Sequence, residues 1–139
     1  MAKQTNLYLT QSVKTAAVVI QPAHTTTYRT LFTAGTNDSY IECITACSDD
    51  TSTRYVTLAL DDGASQHIIG TTAVVAGSGT DGTNPAIDLL NYATAPGLPL
   101  NANGKRYIKL ATGWSLKVKV ITTMTAAKTM YITMMGEDF

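Results

Sequence analysis

Between residues 114 and 123 apolar and polar side chains alternate almost without a break, with Leu116, Val118 and Val120 on one side and Lys117 and Lys119 on the other. Successive side chains of an extended chain point to opposite faces, so this period of two demands a strand with one face in a core and one in water. The rhythm recurs. Residues 54–60 set Val56, Leu58 and Leu60 against Tyr55, Thr57 and Ala59, and residues 39–47 set Tyr40, Glu42 and Ile44 against Ile41, Cys43 and Cys47. Shorter β-branched or aromatic runs stand at 6–9, 16–20, 25–33, 66–75, 107–110 and 130–135. Between them lie turn formers: Pro22, the Asp61-Asp62-Gly63-Ala64 hairpin signal, Asn103-Gly104 and Gly113. Eight or nine short strands with almost no helix predict an all-β fold, an antiparallel β-sandwich of jelly-roll or immunoglobulin-like topology. The pattern does not supply the strand order. At 139 residues the chain reads as one domain, able to bury roughly two-thirds of its unfolded surface.

One long stretch interrupts the strands. Residues 76–106, AGSGTDGTNPAIDLLNYATAPGLPLNANGKR, are rich in Gly, Pro, Asn and small residues, which supply unusual φ values or cannot enter a sheet. So long a loop is expected to be functional or to contain a short element of its own. Asn84-Pro85 offers an N-cap followed by proline at the first helical position, and Ala86, Ile87, Leu89, Leu90 and Tyr92 give an apolar face, so one short helix is predicted here.

Charge excludes several classes of partner. Formal net charge is zero and charged residues make up only 14% of the chain, so no bulk field draws nucleic acid or anionic membrane. A surface so weakly charged and rich in Thr fits exposed sheet faces and a protein packed against others. No apolar run follows Met1-Ala2-Lys3-Gln4-Thr5, so no secretory signal is expected, and residues 16–20 are far too few to span a membrane. Cys43 and Cys47 fall in one strand, about 13 Å apart and too far for a disulfide between them. They are expected to be buried free thiols of a cytoplasmically made protein.

Candidate chemistry is sparse. Ser65 and His67 share a strand face, but no buried Asp is expected behind the imidazole, which leaves the pair without an orienting third group. The acids stand in turns, as Asp49-Asp50 and Asp61-Asp62-Gly63, rather than at the spacing of a calcium loop; Asp81-Gly82-Thr83-Asn84 is at most a surface cation site. The Gly77-Ser78-Gly79 segment fails as a phosphate loop, because no lysine lies between Lys14 and Lys105. Neither catalysis, cofactor nor metal is expected. The charges are segregated: residues 37–88 hold eight acids and one base, Arg54, whereas residues 89–136 hold six bases and no acid. Either the halves neutralise each other locally or they form a bipolar surface that fixes partner and register. Met134 and Met135 are adjacent, so in a strand one of them faces away from the core, where methionine adapts to a partner.

The order of features from Ala76 onward is a Gly/Ser/Thr-rich loop, Asn-Pro-Ala-Ile-Asp-Leu-Leu, Pro-Gly-Leu-Pro-Leu-Asn-Ala-Asn-Gly, a Tyr-containing strand, and Trp114-Ser115-Leu116-Lys117-Val118. With the opening Asn6-Leu7-Tyr8-Leu9-Thr10 it resembles small virion proteins of tailed bacteriophages, including the decoration or cement proteins on the outside of the head shell. The similarity is one of pattern across most of the chain, with no diagnostic motif. It implies a β-sandwich made in the bacterial host cytoplasm that binds the major capsid protein on the capsid exterior, as a small homo-oligomer, dimer or trimer. The contacts expected on that basis are the loop residues Gly77, Ser78, Gly79, Thr80 and Asp81, together with Arg106, Met135 and Phe139. Two rivals stand beside it: a tail or fibre component, and a carbohydrate-binding module with Trp114, Tyr107 and Tyr92 as an aromatic platform.

Overall fold

A computed structural model describes residues 12–91 and 93–138. The strand expected at residues 6–9, Tyr92 and Phe139 therefore lie outside the described residues. The described residues form nine strands: β1 (Ser12–Ile20), β2 (Arg29–Thr33), β3 (Ser39–Ser48), β4 (Arg54–Asp61), β5 (Gln66–Val74), β6 (Ile87–Asp88), β7 (Ile108–Leu110), β8 (Ser115–Val120) and β9 (Met130–Asp138). The described residues contain a single short helical turn, of 3-10 type, at Pro22–His24.

Two antiparallel sheets face each other. The first runs β1-β9-β3, with β6 and β7 sharing the far edge of β3; the second runs β2-β8-β4-β5. Apart from the β4–β5 hairpin and the β6–β7 excursion, each step along the chain changes sheet. That alternation is the jelly-roll arrangement of two Greek keys, and it decides against the immunoglobulin order. The inward residues of both sheets form one core, in which Ile41, Ile44, Leu116, Val118, Val120, Ile132 and Met134 are all buried. Alternation in β8 and β9 puts these side chains inside, as a period of two requires.

The period breaks in β3. Its pairing with β9 shifts between Ile41 and Cys43, so Glu42 is an extra residue, and the parity of the strand inverts there. Ile41, Ile44 and Ala46 all face the core, while Cys43, Thr45 and Cys47 face out. The expectation of buried thiols is thereby corrected: both cysteines are free, Cys43 is exposed and Cys47 half-buried. Opposite the bulge, Gly136 is required because a Cβ there would run into the Tyr40 carbonyl.

The expected helix in the long loop is also corrected. Asn84 caps nothing: its own N–H and that of Thr83 both donate to Asp81 Oδ1, each at 2.8 Å, and its side-chain amide donates to Asp81 Oδ2 and the Ala76 carbonyl. Ile87 and Asp88 then extend as β6 against Ala46 and Thr45, because the open edge of β3 offers backbone partners that a one-turn helix lacks. Beyond β6, Leu89, Leu90 and Ala95 are buried and close the gap between the sheets. Gly70 in β5 permits this, since a Cβ at that position would strike the Thr94 carbonyl. The Thr72 and Thr94 hydroxyls lie 2.7 Å apart beside it.

One end of the sandwich is clamped by the β3–β4 loop. Asp50 Oδ1 accepts from the Ser52 N–H and the Thr125 hydroxyl, and Oδ2 from Arg54 Nε and the Thr125 N–H, all within 2.8–3.0 Å. Burial pushes this carboxyl up, but the hydrogen bonds from Thr125, Ser52 and Arg54 outweigh it and hold Asp50 far below the ordinary carboxylate range. Asp49 Oδ1 adds a bond from the Thr129 N–H at 2.7 Å. At the other end β1 and β9 meet: Ser12 is paired with Asp138, and its hydroxyl donates to the Asp138 carboxylate at 2.6 Å.

Candidate functional site

The residues that face away from the core on the β1–β9–β3 sheet follow from its register. Rows across the sheet read Val19–Tyr131–Cys47, Ala17–Thr133–Thr45, Thr15–Met135–Cys43 and Val13–Glu137–Tyr40. Glu137 is the only charged residue in these rows, with the bulged Glu42 beside it. Val13, Val19, Tyr131 and Met135 are all exposed large hydrophobics, at 77%, 37%, 45% and 57%. Several such residues on one face, almost without charge, favour contact with another protein over free solvent.

The face is framed by the long excursion. At the Cys47 end lies the turn of residues 77–84, where a Cβ on Gly79 would press on the Cys47 sulfur. At the other end Tyr40 stacks on Tyr107 with ring centroids 4.4 Å apart, and the Lys109 ammonium sits 5.9 Å from the Tyr107 ring. Tyr40 is pushed up from its ordinary value, first by burial and then by the neighbouring Tyr107, Glu42 and Glu137. The outward side of the opposite sheet also exposes Tyr55 and Ile68, but it is more charged, with Lys117 bonded to Asp61 at 2.8 Å and Lys119 over the Tyr28 ring at 4.6 Å. Lys117–Asp61 joins the basic half of the sequence to the acidic half, so part of the charge segregation is neutralised locally.

The sequence-expected contact residues are not one patch. Gly77 to Asp81 lie together, but much of that turn is occupied with the fold. Ser78 is buried, its carbonyl accepts the Ser48 N–H at 2.8 Å and its hydroxyl donates to the Val75 carbonyl. The Thr80 hydroxyl donates to the Ser48 carbonyl, and the Gly77 N–H to the Asp50 carbonyl. Arg106 is half-buried and donates to the Leu98 carbonyl within the loop before β7. Met135 stands on this sparsely charged face, one row from Glu137, with Met134 fully buried behind it. Phe139 is outside the described residues. Val13, Val19 and Tyr131 were missed, although the uncharged alternation Val13-Thr15-Ala17-Val19 was there to be read.

Other chemistry is limited. Asp62 Oδ2 lies 2.9 Å from His67 Nε2, and its Oδ1 accepts the Ala64 and Ser65 N–H groups. These bonds, the His67 one foremost, hold the Asp62 carboxyl below its ordinary range. An acid does partner His67, then, but it caps an exposed hairpin and is not buried behind the ring. Both oxygens of Asp81 accept from nitrogen donors, which turns the 81–84 turn inward on itself rather than toward a cation. Among the described residues no group of three or more His, Cys, Asp or Glu could hold a metal. The expected aromatic platform is divided: Trp114 packs against the core and stacks on His67, whereas Tyr107 stacks on Tyr40.

No protein-family model matches the chain, and no curated protein does. Among solved structures, a chain of the acidic stable capsid structure of Helicobacter pylori bacteriophage KHP30 superposes with a TM-score of 0.51 at 8% identity, over 93% of this chain and 90% of that one. A chain of the cyanophage Pam1 capsid asymmetric unit gives 0.47 at 14% identity, over 94% and 88%. The second likeness is too loose to argue from, and the first is a likeness of fold.

Proposed function

We propose that this chain is a structural component of a bacteriophage virion, seated on the outside of the head shell, where it binds and bridges major capsid proteins. The observation that carries the reading is the jelly roll matched over nine-tenths of both chains with a chain of a phage capsid structure. The sparsely charged face around Met135 and Tyr131 supports it, because a protein that spends its life against a shell needs apolar contact area more than a charged, self-solvating surface. Contacts of modest strength, repeated over a lattice, stabilise a shell well beyond any single one. In this reading Met135 belongs to the contact surface, the Gly77–Asp81 turn forms its rim, and the protein works without catalysis or cofactor.

Quantitative mass spectrometry of purified particles tests the assignment. Copies comparable to the major capsid protein are expected; a handful per particle would move the chain to the tail, and absence would end the virion reading. Tyr131→Glu with Met135→Glu, both exposed in the free protein, should empty the particle of this chain while its thermal unfolding is unchanged. Full occupancy by that variant would remove the face from the argument.

A further inference from the structure

We propose that β1 is a docking edge for a second copy of this chain, its β1 pairing antiparallel with the β1 of the partner to make one continuous sheet across both molecules. The inference does not depend on the virion reading. Sheet edges expose unpaired N–H and C=O groups, and proteins protect them by shortness, bulges or cover. Three of the four edges here are protected in those ways. The far edge of β3 carries only the two-residue β6 and the three-residue β7. β2 is five residues long and bulged between Thr30 and Phe32. β5 is bulged opposite Leu58 and Ala59, which leaves Ile69 unpaired.

Among the described residues β1 has none of these devices. It pairs with β9 over nine residues without a shift, so its outer edge is equally straight, and among the described residues no strand pairs with it. It holds no Pro and no Gly. Its one charge, Lys14, is turned to Asp138 of the same chain at 3.6 Å. Val13, the most exposed of the large hydrophobics among the described residues, stands on this edge at 77%.

A second copy fits because the strand is complementary to itself. Centred on Ala16, antiparallel pairing sets Val13 of each copy opposite Val19 of the other, and Thr15 opposite Ala17, all on the outward face. Lys14 falls opposite Val18, so no charge meets its like, and a chain of zero net charge adds no bulk repulsion.

Light scattering of the full chain after size-exclusion chromatography, in reductant so that Cys43 cannot form the link, should give twice 14.8 kDa. Val13→Lys with Val19→Lys sets like charges opposite each other at both ends and should leave only monomer, with an unchanged circular dichroism spectrum. Val13→Lys with Val19→Glu sets opposite charges there and should keep the dimer. A wild-type monomer overturns the proposal, as does a mass that neither variant alters, or a loss that is equal in both.

Discussion

Replacing Asp50 by Asn alters only one atom and its charge, yet it should be among the costliest conservative changes in the chain. The side chain is fully buried and accepts four hydrogen bonds, two per oxygen. In Asp50→Asn one oxygen becomes an amide nitrogen, and if Oδ1 is kept that donor faces the donors Arg54 Nε and the Thr125 N–H. Arg54, its side chain only 13% exposed, loses the counter-charge at 3.0 Å from Nε. Breaking a buried pair from one side costs about 3–5 kcal/mol. Over 139 residues the unfolding entropy is about 0.3 kcal/mol/K, so the midpoint should fall by roughly 10–17 °C. The penalty should also depend on pH. Folding depresses this carboxyl, so its contribution is present above the unfolded value of about 3.9 and is lost as pH falls toward the folded one. Urea unfolding of both proteins at pH 7 and at about pH 3 tests this: the gap should be widest at neutrality and narrow in acid. A penalty below about 1 kcal/mol at pH 7, or one that does not change with pH, would refute the clamp.

Three further changes probe the rest of the frame. Leu90→Ala removes a buried side chain from the plug between the sheets and should cost about 2–5 kcal/mol in urea unfolding. Gly70→Ala should lower stability by about 1–3 kcal/mol and render residues 93–97 sensitive to limited proteolysis, because the methyl group displaces the Thr94 backbone. In the native protein a thiol reagent should modify Cys43 rapidly and Cys47 more slowly, whereas buried thiols would react only on unfolding.

Fold class was legible because most strands keep their period. In β8 the side chains read as inward from their spacing are inward, in β9 the adjacent Met134 and Met135 face opposite ways as alternation requires, and the Asp61–Asp62–Gly63 turn joins β4 to β5 as its composition suggested. Where the period is broken, reading failed. A single extra residue at Glu42 inverts everything before it relative to everything after, and nothing local to Glu42 announces a bulge. The Asn84-Pro85 signal for a helix was sound as local chemistry, but the unpaired edge of β3 outweighed it. Gly70 drew no reading from the sequence, yet it is the place where another backbone packs against a strand. Met135 was identified because two adjacent methionines cannot share a face. The remainder of its surface comes from β1 and β3, whose adjacency is a matter of strand order, and alternation is silent about order.

The pairing of Ser12 with Asp138 has a mechanical consequence. The first residue of β1 and the last of β9 are direct neighbours, so tension drawn through the segments flanking these strands would load their hydrogen bonds one after another, like a zipper. The opposite end, where Asp50 binds Thr125 and Asp49 binds Thr129, ties loops from both sheets together and would share a load among several bonds at once. A partner that must resist outward pressure would therefore gain most by gripping the molecule at the Asp50 end or along its sheet faces, and least by holding it where β1 begins and β9 finishes.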